Sequence, residues 1–89
     1  MKEKGIIKIF KALSDNNRIK ILYLLKEGKS TFKNMESNLE LTQPTISHHI
    51  KILKESGLIV EEKQGKNKCY SINKLQVQLV GDYIRYLIK

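Results

Sequence analysis

Between Thr42 and Lys51 the chain gathers hydroxyl, amide, imidazole and ammonium groups around one proline: Thr42, Gln43, Pro44, Thr45, Ser47, His48 and Lys51. These side chains donate to and accept from base edges and phosphate oxygens, the chemistry of a protein that reads a DNA groove. A second polar group follows, Lys63, Lys66 and Lys68 around Gly65, and its ammonium groups suit a sugar-phosphate backbone. Catalysis is not expected. No Ser/His/acid set, glycine-rich phosphate loop or carboxylate cluster is present, and a core this small does not shape a closed pocket. His48 and His49 are neighbours in the sequence, so on a helix they point ~100° apart and cannot chelate one ion together.

The elements that must present these groups follow from hydrophobic periodicity. Thr42-Gln43-Pro44 opens a helix, with proline in the first turn where its missing N–H has no partner to lose. Ile46, Ile50 and Leu53 recur at helical spacing and point inward. Pro44, Thr45, His48, Lys51 and Glu55 then cover the outer side, with Ser47 on its flank and Gln43 at the helix mouth. Gly57 ends this helix, and two strands, Leu58–Lys63 and Lys68–Ile72, enclose the turn Gln64-Gly65-Lys66-Asn67, whose glycine and asparagine supply any positive φ. A lysine-rich hairpin tip also fits a guard against edge-to-edge aggregation. Upstream, Ser30-Thr31 caps a short helix whose Phe32, Met35 and Leu39 form a core stripe, and Glu40-Leu41 make the turn into the next helix.

Two more helices precede these. Glu3–Leu13 carries Ile6, Ile9, Phe10 and Leu13 on one side and Lys4, Lys8 and Lys11 on the other. That lysine stripe reads as a solvated face or as a source of attraction for phosphates. Ser14-Asp15 caps a second helix running to about Lys26, apolar almost all round at Ile19, Ile21, Leu22, Tyr23, Leu24 and Leu25, which predicts burial on several sides. Glu27-Gly28 stops it. Asn73 caps a last helix from Lys74 to the end, where Leu75, Val77, Leu79, Val80, Tyr83, Ile84, Tyr86, Leu87 and Ile88 occupy more than half the wheel. Packing on one core needs an arc of little more than ~100°, so a second copy of the same helix is the expected cover for the surplus.

The fold class expected is therefore mainly α with a small β-hairpin, a single winged helix-turn-helix domain over residues 1–89. The helix-turn-helix spans about 31–56, the wing about 58–72 and a dimerisation helix about 74–88. The candidate interface between copies comprises Ile6, Phe10, Leu79, Val80, Tyr83, Ile84 and Leu87. A two-fold pair sets its reading helices about one DNA turn, ~34 Å, apart on a near-palindromic site.

Bulk properties agree. Eighty-nine residues form one small domain, which buries only roughly 60–65% of its unfolded surface and gains from oligomerisation. The net charge of +8 favours a polyanionic partner. It is uneven: residues 1–30 hold eight Lys/Arg against three acids, whereas residues 31–57 hold three of each. Long-range attraction thus comes from the amino-terminal third and the wing, while the reading helix contributes polar recognition. Cys69 stands alone, so no internal disulfide forms and a reducing compartment is expected. The apolar runs are too short to span a membrane, and Lys8 and Lys11 interrupt the apolar start, so no signal peptide is expected and the location is the cytoplasm.

Phe10-Lys11-Ala12-Leu13-Ser14-Asp15 with Arg18 and Ile21-Leu22, then Thr45-Ile46-Ser47-His48-His49-Ile50 and Leu53-Lys54-Glu55-Ser56-Gly57-Leu58-Ile59, and finally Gly65-Lys66 and Tyr70, together resemble the ArsR/SmtB family of winged-helix repressors over about residues 9–73. The resemblance implies a homodimer that binds operator DNA and releases it when an effector binds. Metal-sensing members carry a Cys-x-Cys that would fall at Thr31 and Lys33 here. Others carry an Asp-x-His near the start of the last helix, whereas Asp82 is followed by Tyr83 and Ile84 and no histidine lies beyond His49. No metal and no cofactor are therefore expected, and the effector stays unidentified. Double-stranded DNA, a second copy and no membrane are the partners expected. The competing reading is a winged-helix protein used for protein or RNA contact without a specific operator, and sequence discrimination of ~10³ or more over random duplex separates the two.

Overall fold

The computed structural model describes residues 2–89; Met1 of the expected 1–89 domain lies outside the described residues. Five helices and three strands follow in the order α1 (Glu3–Leu13), α2 (Asn16–Lys26), β1 (Ser30–Thr31), α3 (Phe32–Leu39), α4 (Gln43–Glu55), β2 (Ile59–Gln64), β3 (Asn67–Ile72) and α5 (Lys74–Tyr86). This is the winged helix-turn-helix order, with one strand more than expected.

Caps fix the helix starts. The Asp15 carboxylate accepts from the Arg18 N–H, the Thr31 hydroxyl from the Asn34 N–H and the Asn73 side chain from the Gln76 N–H, each satisfying an orphan donor of a first turn. Glu40 ends α3 with φ 54°, a left-handed turn that redirects the chain into α4. Ile9, Ile21, Met35, Ile46 and Leu53, drawn from α1, α2, α3 and α4, are the largest fully buried side chains. Four helices thus share one core, and α4 is held on it from its inner side alone.

The sheet has the order β1-β3-β2. Thr31 caps α3, and Ser30 and Thr31 also pair antiparallel with Tyr70 and Cys69, which makes β3 the central strand. Two residues carry no periodicity, so this strand left no signal in the sequence. It matters because it clamps the base of the wing to the start of the helix-turn-helix. The hairpin is longer than expected: Gln64 pairs with Asn67, leaving Gly65-Lys66 as a two-residue turn. Gly65 has φ 60° and Lys66 does not have a positive φ, the type II′ pattern whose twist matches the strands.

α5 begins on a latch. The Asn73 amide donates to the Gly57 carbonyl at 3.0 Å, and Gln76 Nε2 donates to the Ser56 carbonyl at 3.2 Å. That contact accounts for Gln76, a polar residue within the otherwise apolar arc of α5. Gly57, at φ 80°, has a backbone that calls for glycine, and an added Cβ would lie 3.0 Å from Gln76 Nε2 and press on the latch.

Beyond the latch α5 is mostly uncovered: Leu75, Val77, Leu79, Ile84 and Tyr86 are exposed, with Leu87 just past its end. Phe10 and Ile7 of α1 are exposed as well. Two residues expected between copies face inward instead. Ile6 and Val80 belong to the chain's own core at 3% and 7% exposure, because α1 and the middle of α5 each spend one ridge on that core. Tyr83 packs against the core and is half-buried. In α2, expected to be buried on several sides, Leu22 and Leu24 pack against the core. Ile21 and Leu25 are buried, but Tyr23 is 69% exposed, since core elements cover only part of the helix.

Candidate nucleic-acid interface

Pro44, Ser47, His48 and Lys51 of α4 are exposed, while Ile46, Ile50 and Leu53 of the same helix are buried at 0%, 5% and 0% exposure. The 3.6-residue period separates a core face from a free polar face. Thr42 and Gln43 open the helix mouth, both exposed; the Thr42 hydroxyl lies 2.9 Å from that of Thr45, and Gln43 Nε2 is 3.4 Å from Glu36 Oε1 on α3. Thr45 departs from expectation in being half-buried, because its hydroxyl turns back to Thr42 across the first turn. The first-turn N–H groups point outward here with the positive end of the helix dipole, a setting that favours phosphate.

The wing stands beside this face. Lys63 and Lys68 are opposed in the antiparallel register, and Glu61 opposes Tyr70 two residues nearer the sheet base. Residues two apart share a sheet face, so all four lie on one side of the hairpin. Two ammonium groups set opposite each other repel, and an anion between them removes the repulsion. Lys66 sits exposed in the turn. Between wing and helix is a cleft of about 300 Å³ bordered by Ser47, Lys51, Lys54, Glu61, Lys68 and Tyr70.

Two residues of this cleft escaped sequence reasoning. Lys54 Nζ lies 3.1 Å from Glu61 Oε1, and Lys68 Nζ lies 3.9 Å from Glu61 Oε2. Ser47, Lys51 and Lys54 recur at i, i+4 and i+7, a spacing that would have placed Lys54 beside the wing, but the partner on the hairpin is a tertiary fact. The hydrogen bond from Lys54 holds the Glu61 carboxyl below its ordinary range. Burial, with the bond to Glu61, pushes the Tyr70 phenol up to about 12. The carboxylate thus stays charged and ties the end of α4 to the wing.

A second cluster lies behind the polar face. His49 is buried at 6% exposure, as expected of a residue on the core side, and its Nδ1 is 3.3 Å from Arg18 Nη1 and 3.8 Å from Asp15 Oδ2. Burial depresses the imidazole's proton affinity more than the Asp15 carboxylate restores it. The guanidinium can only donate, so Nδ1 is the acceptor of this contact. The capping bond to the Arg18 backbone N–H, foremost, lowers the Asp15 carboxyl. Cys69, buried in the central strand, is a small strand residue in its surroundings. Among the described residues no three His, Cys, Asp or Glu side chains come together as a metal ion requires, and no helix is long and apolar enough to cross a membrane.

These features recur in known proteins. The model of the arsR family of bacterial regulatory proteins matches residues 15–60, from the cap of α2 to the first wing strand. The chain is 40% identical over 70 residues to the transcriptional repressor SdpR of Bacillus subtilis, an alignment covering 79% of this chain and 78% of that protein. Its fold superposes with TM-score 0.86 on the crystal structure of an ArsR family transcriptional regulator, at 26% identity over 98% of this chain and 90% of the other. A homodimeric winged helix-turn-helix DNA-binding domain from Mycobacterium bovis, solved by NMR, shares the fold at TM-score 0.80 and 22% identity, covering 96% of this chain and 79% of that one. With its signature helices, wing and clear sequence relatives, the chain belongs to the ArsR family of bacterial regulatory proteins, a family of transcriptional regulators and not of enzymes.

Proposed function

We propose that this chain is a dimeric repressor that binds a near-palindromic operator, with α4 in the major groove and the wing on the flanking backbone. The observation that carries the reading is the division of α4: its inner ridge is locked into the core while Pro44, Ser47, His48 and Lys51 project free, with Lys68 of the wing across a shared cleft from Ser47 and Lys51. In this arrangement Thr42, Gln43, Ser47 and His48 meet base edges or the nearest phosphates, and Thr45 acts through its bond to Thr42. Lys51, Lys63, Lys66 and Lys68 neutralise phosphates, while Lys54 holds the wing against α4 through Glu61.

Two copies meet through the exposed apolar side chains of α5 and α1, chiefly Phe10, Leu79, Ile84 and Leu87, with half-buried Tyr83 at the edge. Exposed apolar side chains in such number are what an interface between copies presents. Repression follows by occlusion of a promoter, and the place of action is the cytoplasm, where the DNA is. No metal or cofactor takes part in this reading.

Selection of bound duplexes from a random pool by the purified chain tests all of this together. The expected result is a two-part motif of inverted half-sites about one helical turn apart, bound ~10³-fold or more tighter than random duplex. Binding of every duplex alike, or preference for RNA, refutes the operator and favours a winged helix used for other contacts.

A further inference from the structure

The reading helix has a tether that contact with DNA does not require. Arg18, in the first turn of α2, donates from Nε to the Ala12 carbonyl at 2.6 Å and from Nη2 to the Lys11 carbonyl at 3.2 Å. Those carbonyls belong to the last turn of α1, and that of Lys11 accepts from the Ser14 N–H as well. The other terminal nitrogen, Nη1, reaches His49 Nδ1 at 3.3 Å on the inner side of α4. One planar fork therefore joins the end of α1, the start of α2 and the middle of α4. An ammonium group, a single point of charge on a flexible stem, does not make three bonds in fixed directions.

The two helices joined in this way face different partners. α1 exposes Ile7 and Phe10 at 51% and 38%, part of the apolar surface on which a second copy is to bind. α4 faces DNA. We infer that Arg18 is a positioning residue that sets the angle of α4 against α1, and through it the distance between the two reading helices of a dimer on paired half-sites. This inference rests on the operator-binding dimer proposed above. Any change in how α1 is seated on a partner copy reaches α4 through the guanidinium. The Asp15 carboxylate, capping α2 at the Arg18 N–H, keeps the start of that helix and hence the root of the fork in place.

The test uses the full chain and its Arg18→Lys, His49→Leu and His49→Asn variants in duplex selection from pools in which the gap between half-sites is also randomised. Wild type is expected to recover one narrow spacing. Arg18→Lys and His49→Leu are expected to recover the same half-site bases over a wider range of gaps, with affinity for the best-spaced duplex down about tenfold and affinity for random duplex unchanged. His49→Asn, whose side-chain oxygen lies near the place of Nδ1, is expected to restore the narrow spacing. A role confined to stability lowers the melting temperature and leaves the spacing profile as in wild type, which overturns the inference; so does a His49→Asn profile as wide as that of His49→Leu. Should Arg18→Lys not fold, the two His49 variants decide the matter by the same criteria. Recovery of single, unpaired half-sites by wild type overturns the dimeric operator reading and this inference with it, whereas narrow spacing in every variant overturns this inference alone.

Discussion

Ile84 lies on the uncovered side of α5 with 47% of its surface exposed, and replacing it by aspartate probes the contact between copies without entering the core. Burying an isoleucine side chain completely is worth about 1.5–3 kcal/mol, so the exposed half has about 1 kcal/mol to give when a partner covers it. A two-fold interface counts the change twice, for ~2 kcal/mol, or roughly thirtyfold weaker self-association from lost apolar burial alone. Two carboxylates brought into an apolar seam add several kcal/mol more, because neither finds a cation there. Ile84→Asp is therefore expected to be monomeric at concentrations where wild type is dimeric in sedimentation equilibrium. Its far-UV circular dichroism should match wild type, since the residue is outside the buried core. A monomer binds one half-site, so affinity for the paired operator should fall towards that for a single half-site. A variant that dimerises with an unchanged constant refutes the reasoning, and the apolar side of α5 then has another occupant.

Three further outcomes are expected. His48→Ala should flatten the preference among sequences in competition binding, while Lys66→Ala should weaken all duplexes alike and reduce the salt slope by about one; the reverse assignment would mean α4 is turned differently in the groove. Leu53→Ala, at a site with 0% exposure, should cost about 2–5 kcal/mol in urea unfolding, and a loss below about 1 kcal/mol would contradict the packing described. The third concerns pH. The His49 ring has its folded proton affinity depressed below the ordinary 6.5, so the unfolded chain binds the proton first as pH falls. Its contribution to stability is thus fully present above 6.5 and is lost on acidification down to the lowered folded value. Melts at a series of pH values should show wild type losing more stability through this window than His49→Asn, and parallel curves would contradict a buried neutral ring.

The residues of α4 declared both their fold and their chemistry in advance, because a 3.6-residue period sorts inner from outer positions without knowledge of neighbours. Caps at Asp15, Thr31 and Asn73 were equally legible, being local bonds within three residues. Other features needed a partner from far along the chain. β1 exists only because Tyr70 and Cys69 lie opposite Ser30 and Thr31. Lys54 joins the wing only through Glu61, and Arg18, visible as part of a signature, acquires a role only when His49 arrives from a helix 31 residues away. The surplus apolar arc of α5 was plain in the sequence, yet which of its members turn inward was not: Val80 packs on the chain's own core while Leu79 and Ile84 stay outside. Local propensity and periodicity act over a few residues, so the sequence alone determined the five helices, the hairpin, their order and the polar face of α4, but not β1. Which ridge of each amphipathic helix meets its own core, and which is left exposed, depends on how distant segments share a limited interior, and only the tertiary structure decided it.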